Sequence, residues 1–169
     1  MLKIANIKGF TLIELLIVVG ILGILSAAIL ATLDPFSQFQ KGNDSRRKSD
    51  LSQIQKAIET YYQDKGSYPG SSGSPNYCLR EFASPFTTYC GDSSFTPYMN
   101  VVPKDSNSAN RYVYYASSDG QSYWIYASLD RGGKDPQACN LGNQCANVPS
   151  GASCGGTCNY GVASTNAQP

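Results

Sequence analysis

The chain has 169 residues, a formal net charge of +1, six cysteines and no histidine. Ser-His-Asp and Cys-His catalytic arrangements and histidine metal sites are therefore excluded. So near-neutral a protein makes no broad electrostatic claim on nucleic acid, although a local basic patch leaves that partner open.

The first predicted element is an apolar run from Phe10 to Leu33, preceded by Lys3 and Lys8. A bilayer-spanning helix needs about 20 apolar residues at roughly 1.5 Å each, so this run is long enough to cross. It carries one carboxylate, Glu14, near its start. A charged acid at mid-bilayer depth costs roughly 2.5–3.5 kcal/mol, which marks Glu14 as a candidate functional group in need of a cation. Cleavage between Gly9 and Phe10 creates one. The new α-amino group on Phe10 lies four residues before Glu14, on the same helix face. It is mostly cationic at neutral pH, and N-methylation keeps the charge. Within one subunit the pair is only partly satisfying, because the helix start has its own unpaired N–H groups. The expectation is that, between subunits, Glu14 of one chain meets the Phe10 amine of the next, so that cleavage would switch assembly on.

Gly9-Phe10-Thr11-Leu12-Ile13-Glu14, after a short leader, resembles the prepilin signal of type IV pilins and type II secretion pseudopilins. The resemblance implies cleavage after Gly9 by a prepilin peptidase, N-methylation of Phe10 and subunit docking through Glu14. It also implies a precursor in the inner membrane lipid bilayer with its head outside the cytoplasm, an inner-membrane assembly platform, and a homopolymer cored by the apolar helices. One departure stands out: the family often carries a proline near the position of Ala31, whereas this chain has Asp34-Pro35. An ordinary secretory signal, cut at Ser26-Ala27-Ala28, fits less well because Glu14 would interrupt its apolar region. The alternative function is a single-pass, membrane-anchored extracytoplasmic binding protein that does not polymerise.

Asp34-Pro35 reads as an N-cap followed by proline at the first helical position, so a second helical segment restarts there. Gly42 is a second weak point in it. Leu51, Ile54, Ala57, Ile58 and Tyr61 form one apolar stripe at helical spacing. Gly66 caps the helix and Pro69 prevents its resumption. Downstream, Tyr112–Ala116 and Ser122–Leu129 are strand-forming runs around Ser117-Ser118-Asp119-Gly120, a hairpin turn. Tyr123, Ile125, Ala127 and Leu129 share the face expected to cover the helix stripe. Long helix, loop, Val102-Pro103-Lys104-Asp105 and a Tyr-rich hairpin, in that order, resemble the head of the G-type major pseudopilin.

The cysteines, Cys78, Cys90, Cys139, Cys145, Cys154 and Cys158, suit an oxidising compartment and allow fifteen pairings. Nearest-neighbour pairing gives Cys78–Cys90, Cys139–Cys145 and Cys154–Cys158, the first being the strongest expectation; a zinc site from the last four stays open. In G-type pseudopilins an acidic loop after the sheet binds calcium, and the matching stretch here, Asp130-Arg131-Gly132-Gly133-Lys134-Asp135, offers Asp130 and Asp135 beside two cations. Calcium wants six to eight oxygens, so a solvated turn is the stronger reading and no cofactor is required. Arg46-Arg47-Lys48, with Asp44 and Asp50 nearby, reads as a solvated face or an inter-subunit salt-bridge strip. Residues 159–169 read as a mobile tail.

The expected fold is α+β and pilin-like: a long N-terminal α-helix kinked near Pro35, packed on a small antiparallel sheet with disulfide-stapled loops. The expected segments are a leader over 1–9, an apolar helix over 10–33, an amphipathic stalk helix over 34–66, a head over 67–135 and a Cys/Gly-rich segment over 136–169. Losing Lys3 and Lys8 with the leader leaves 11 basic against 12 acidic side chains. Catalysis is not expected.

Overall fold

The computed structural model describes residues 9–32, 34–74, 77–80 and 87–169, so Lys3, Lys8 and Leu33 lie outside the described residues. The chain divides into two compact units, one ending at Phe39 and one spanning Gln40–Pro169.

In the first unit, helix α1 runs from Leu12 to Thr32. Its apolar side chains point outward on every side, from Leu12 to Leu30. Leu12–Leu30 is the one described helical stretch long and apolar enough to cross a membrane. Helix α2 begins at Pro35. The Asp34 carboxylate accepts a hydrogen bond from the Ser37 backbone N–H at 3.2 Å, which caps the new helix. Pro35 at the first helical position loses no hydrogen bond, because that N–H has no intrahelical acceptor.

α2 extends to Lys65 without interruption, so Gly42 does not act as the break its low helix propensity suggested. The second unit holds everything from Gln40 onward. α2 stops at Gly66, whose φ of +72° is left-handed and whose N–H donates to the Tyr62 carbonyl at 2.8 Å. Leu51, Ile54, Ala57, Ile58 and Tyr61 are all buried, as their spacing predicts.

Among the described residues two three-stranded antiparallel sheets follow. The first is built from short strands, β1 (Gly70–Ser71), β2 (Leu79–Arg80) and β3 (Thr88–Tyr89). The second comprises β4 (Val113–Ala116), β5 (Tyr123–Ala127) and β6 (Tyr160–Ala163), with β5 in the centre. The β4–β5 hairpin pairs Val113 with Tyr126 and Ala116 with Tyr123. Gly120, at φ +66°, donates to the Ser117 carbonyl at 3.0 Å in the connecting turn. Tyr123, Ile125 and Ala127 pack into the cluster containing the α2 stripe.

The opposite face is also covered. Val113 and Tyr126 pack with Cys145, Cys154 and Cys158 in a second buried cluster. The C-terminal residues are correspondingly not a mobile tail. β6 pairs Trp124 with Ala163 and Ala127 with Tyr160. Beyond it, the Gln168 carbonyl accepts hydrogen bonds from Trp124 Nε1 at 2.8 Å and Asn147 Nδ2 at 2.9 Å. The segment is poor in consecutive β-formers, but central strand β5 offers it a complete hydrogen-bonding edge.

The helix–sheet interface is rich in phenols. Glu59 accepts from Tyr123 Oη at 2.8 Å and Tyr68 Oη at 3.1 Å. Asp50 accepts from Tyr112 Oη at 2.7 Å. Burial and then the Glu59 carboxylate push Tyr68 up to about 12, and burial with a carboxylate partner raises Tyr112 and Tyr123 as well. Unfolded phenols ionise near pH 10 while the folded ones hold their protons, so the unfolded state binds fewer protons above that pH. Stability present below about pH 10 should therefore fall as pH rises through the folded values. Urea midpoints measured at pH 9 and pH 11 check this, with the lower midpoint expected at pH 11.

Candidate assembly site

Phe10 precedes α1 and is 84 % exposed. Glu14 sits in the first turn of α1. Its Oε2 accepts the Thr11 backbone N–H at 2.8 Å and the Thr11 hydroxyl at 2.7 Å. The Thr11 Oγ1 in turn accepts the Glu14 backbone N–H at 3.3 Å. This is a capping box, in which threonine and a glutamate three residues later satisfy each other's backbone donors. The signature is legible in Thr11-Leu12-Ile13-Glu14, yet the charge-pair reading alone passes over it. Glu14 thus fixes the start of its own helix. Both Thr11 bonds converge on Oε2, which leaves Oε1 without a hydrogen bond among the described residues.

Thr11 is accordingly a positioning residue for Glu14. Thr11→Val deletes the hydroxyl and with it about 1 kcal/mol of capping, a change of roughly fivefold in the capped population. On the docking role that the prepilin resemblance implies for Glu14, filament yield should fall by a comparable factor and recover in Thr11→Ser; quantitative immunoblots of sheared filaments measure it.

All six cysteines are paired, as Cys78–Cys90, Cys139–Cys145 and Cys154–Cys158. No thiolate is therefore left for a four-cysteine zinc site. The loop after β5 does not fit calcium. Asp130 Oδ1 lies 2.8 Å from Arg47 Nη1, and Asp135 Oδ2 lies 2.6 Å from Lys48 Nζ. Among the described residues no group of three or more acidic, cysteine or histidine side chains is arranged so that it could hold a metal ion. Nor is Arg46-Arg47-Lys48 a uniform solvated face: Arg46 is exposed, Lys48 is half-buried against Asp135 and Gln137, and Arg47 is buried. Sequence spacing placed these residues on one helix but gave no sign that three separate segments converge on Arg47.

A helix exposing apolar side chains all round, with a capped carboxylate in its first turn, suits lipid or a bundle of like helices. Joined in sequence to an amphipathic helix laid on a small antiparallel sheet, it defines a prepilin-type filament subunit. The prokaryotic N-terminal methylation motif matches residues 4–30, and the model of type II secretion system protein G matches residues 35–144. The chain is 32% identical over 127 residues to the type IV wide pilus major component PilA4 of Thermus thermophilus, covering 75% of this chain and 86% of that protein. No solved structure matches it significantly. The chain belongs to the type IV pilin and pseudopilin family. It is a structural subunit of a pilus-type filament, anchored in the inner membrane through its apolar helix before assembly. The family is structural rather than enzymatic, its members are processed by prepilin peptidase, and they polymerise with copies of themselves. The non-polymerising binding protein is not favoured.

Proposed function

We propose that this chain is cut between Gly9 and Phe10, N-methylated on Phe10, and assembled into a surface type IV pilus by docking Glu14 on the Phe10 amine of a neighbouring copy. The carrying observation is α1 itself, whose large apolar side chains from Leu12 to Leu30 are exposed, while Glu14 keeps one carboxylate oxygen unbonded among the described residues. In lipid, association of such helices gains little from apolar burial, so polar pairing and close packing must select the docking geometry. Gly20 and Gly23 leave open space beside α1, which suits close approach of a second helix. An inner-membrane assembly platform, driven by a cytoplasmic motor, supplies the work of extraction. The head carries three disulfides that tie down its loops, which suits exposure outside the cell.

Intact mass of subunits from sheared filaments tests processing. Loss of residues 1–9 with gain of one methyl group is expected, and filaments built from uncut chains would refute it. A secretion pseudopilus is the second reading, favoured by the protein G match over residues 35–144. Deleting the gene separates the two: loss of long surface fibres in electron micrographs supports the pilus, whereas loss of protein export with fibres intact supports the pseudopilus.

A further inference from the structure

The Arg47 side chain is only 2% exposed and sits among three aspartates. Nε lies 2.6 Å from Asp105 Oδ2, and Nη1 lies 2.9 Å from Asp44 Oδ1 and 2.8 Å from Asp130 Oδ1. Nη2 adds a longer bond to Asp105 Oδ1 at 3.4 Å. The three acids come from α2, from the segment before β4 and from the loop after β5. Asp44 and Asp105 also hold backbone. Asp44 accepts the N–H groups of Asp130 at 2.8 Å and Arg131 at 3.0 Å, and Asp105 accepts that of Asn107 at 2.8 Å.

Asp44 and Asp105 are buried and Asp130 reaches Arg47 from the partly exposed side, and three carboxylates this close repel one another unless a cation sits between them. A dissolved dication is one solution, but it requires oxygen lone pairs turned toward it. Here both oxygens of Asp44 and both of Asp105 already accept N–H donors. The planar guanidinium, with donors in a fixed fork, serves the three acids at once. We propose that Arg47 is a built-in replacement for a bound metal ion: it orders the loop after β5 and the turn at Asp105–Asn107, so that the head holds its fold whether or not calcium is present. A filament subunit made this way is indifferent to the ionic composition outside the cell.

Hydrogen exchange on the full chain in detergent micelles reads the three acceptor-bound amides, Asp130, Arg131 and Asn107, directly. In the unmodified protein their exchange should agree within about twofold between millimolar calcium and a chelator. In Arg47→Gln the same amides should exchange at least about tenfold faster, while β5 amides keep their protection. Calcium-dependent protection of the unmodified protein would overturn the proposal, as would Arg47→Gln retaining normal protection. Should that variant fail to fold, Arg47→Lys carries the test, since a compact ammonium keeps the charge but cannot span three carboxylates. Its loop or its turn is then expected to exchange about tenfold faster, and full protection of both would refute the role of the guanidinium.

Discussion

Glu14→Ala is expected to abolish filaments while leaving the chain in the membrane at normal abundance. Membrane insertion does not depend on the acid, because removing a charge from an apolar helix eases insertion by roughly 2.5–3.5 kcal/mol. Docking is the step that suffers. On the proposed pairing, loss of Glu14 sends the Phe10 amine of the neighbouring subunit into the packed helices with no counter-charge. Leaving one buried ionic partner alone costs about 3–5 kcal/mol, or more than a hundredfold in association for each contact. A polymer multiplies that penalty over every subunit. Glu14→Ala also deletes the acid half of the capping box, so the two roles need separating. Glu14→Gln does so, since its amide oxygen still accepts the Thr11 N–H but carries no charge. Filaments should be absent from both variants in sheared fractions and micrographs. Normal filaments from Glu14→Gln would show that capping rather than charge pairing governs docking, and normal filaments from both would refute any assembly role.

Much of this architecture is written in periodicities that survive without tertiary information. The α2 stripe from Leu51 to Tyr61 repeats at helical spacing and is buried throughout. The hairpin is declared by alternation around Asp119-Gly120, and Gly66 marks the helix end through a backbone angle that other residues resist. Features built from distant segments were not legible. Tyr160–Ala163 becomes a strand only because β5 presents an open edge to it. Strands β1–β3 are two residues each, too short to leave an alternating pattern. Arg47 illustrates the limit most plainly. It sits in a basic run that normally signals solvent, and its burial depends on Asp105 and Asp130, which lie 58 and 83 positions further along the chain. In the assembly helix the reverse held: Glu14 is conspicuous because a charge in an apolar run needs no tertiary context to stand out, while its capping partner Thr11 is inconspicuous.

Removing the Cys154–Cys158 bridge should destabilise the head at least as much as removing Cys78–Cys90, although it closes a far shorter loop. The separations are 4 and 12 residues. Loop entropy alone favours the longer bridge, but its logarithmic dependence makes the difference only about 1 kcal/mol. Packing acts in the opposite sense. Cys154 is fully buried and Cys158 nearly so, and together with Cys145, Val113 and Tyr126 they form the layer over the outer face of the β4–β5 hairpin. Deleting two buried sulfur atoms from that layer leaves a cavity in addition to releasing the loop. Backbone contacts follow the bridge as well, since the Cys154 carbonyl accepts Arg111 N–H at 3.0 Å and the Cys158 carbonyl accepts Cys145 N–H at 2.9 Å. Cys154→Ala/Cys158→Ala is therefore expected to cost about 2–4 kcal/mol. β6 begins two residues after Cys158, so the loss should spread to the edge that pairs with Trp124. Trp124 is the single tryptophan, and it stays partly exposed while donating to Gln168. Its emission should shift to the red in the Cys154/Cys158 variant and remain unchanged in Cys78→Ala/Cys90→Ala. A urea midpoint for Cys154→Ala/Cys158→Ala equal to that of the unmodified protein would show that the sulfur layer is no part of what holds the sheet, and that β6 pairs on its backbone bonds alone.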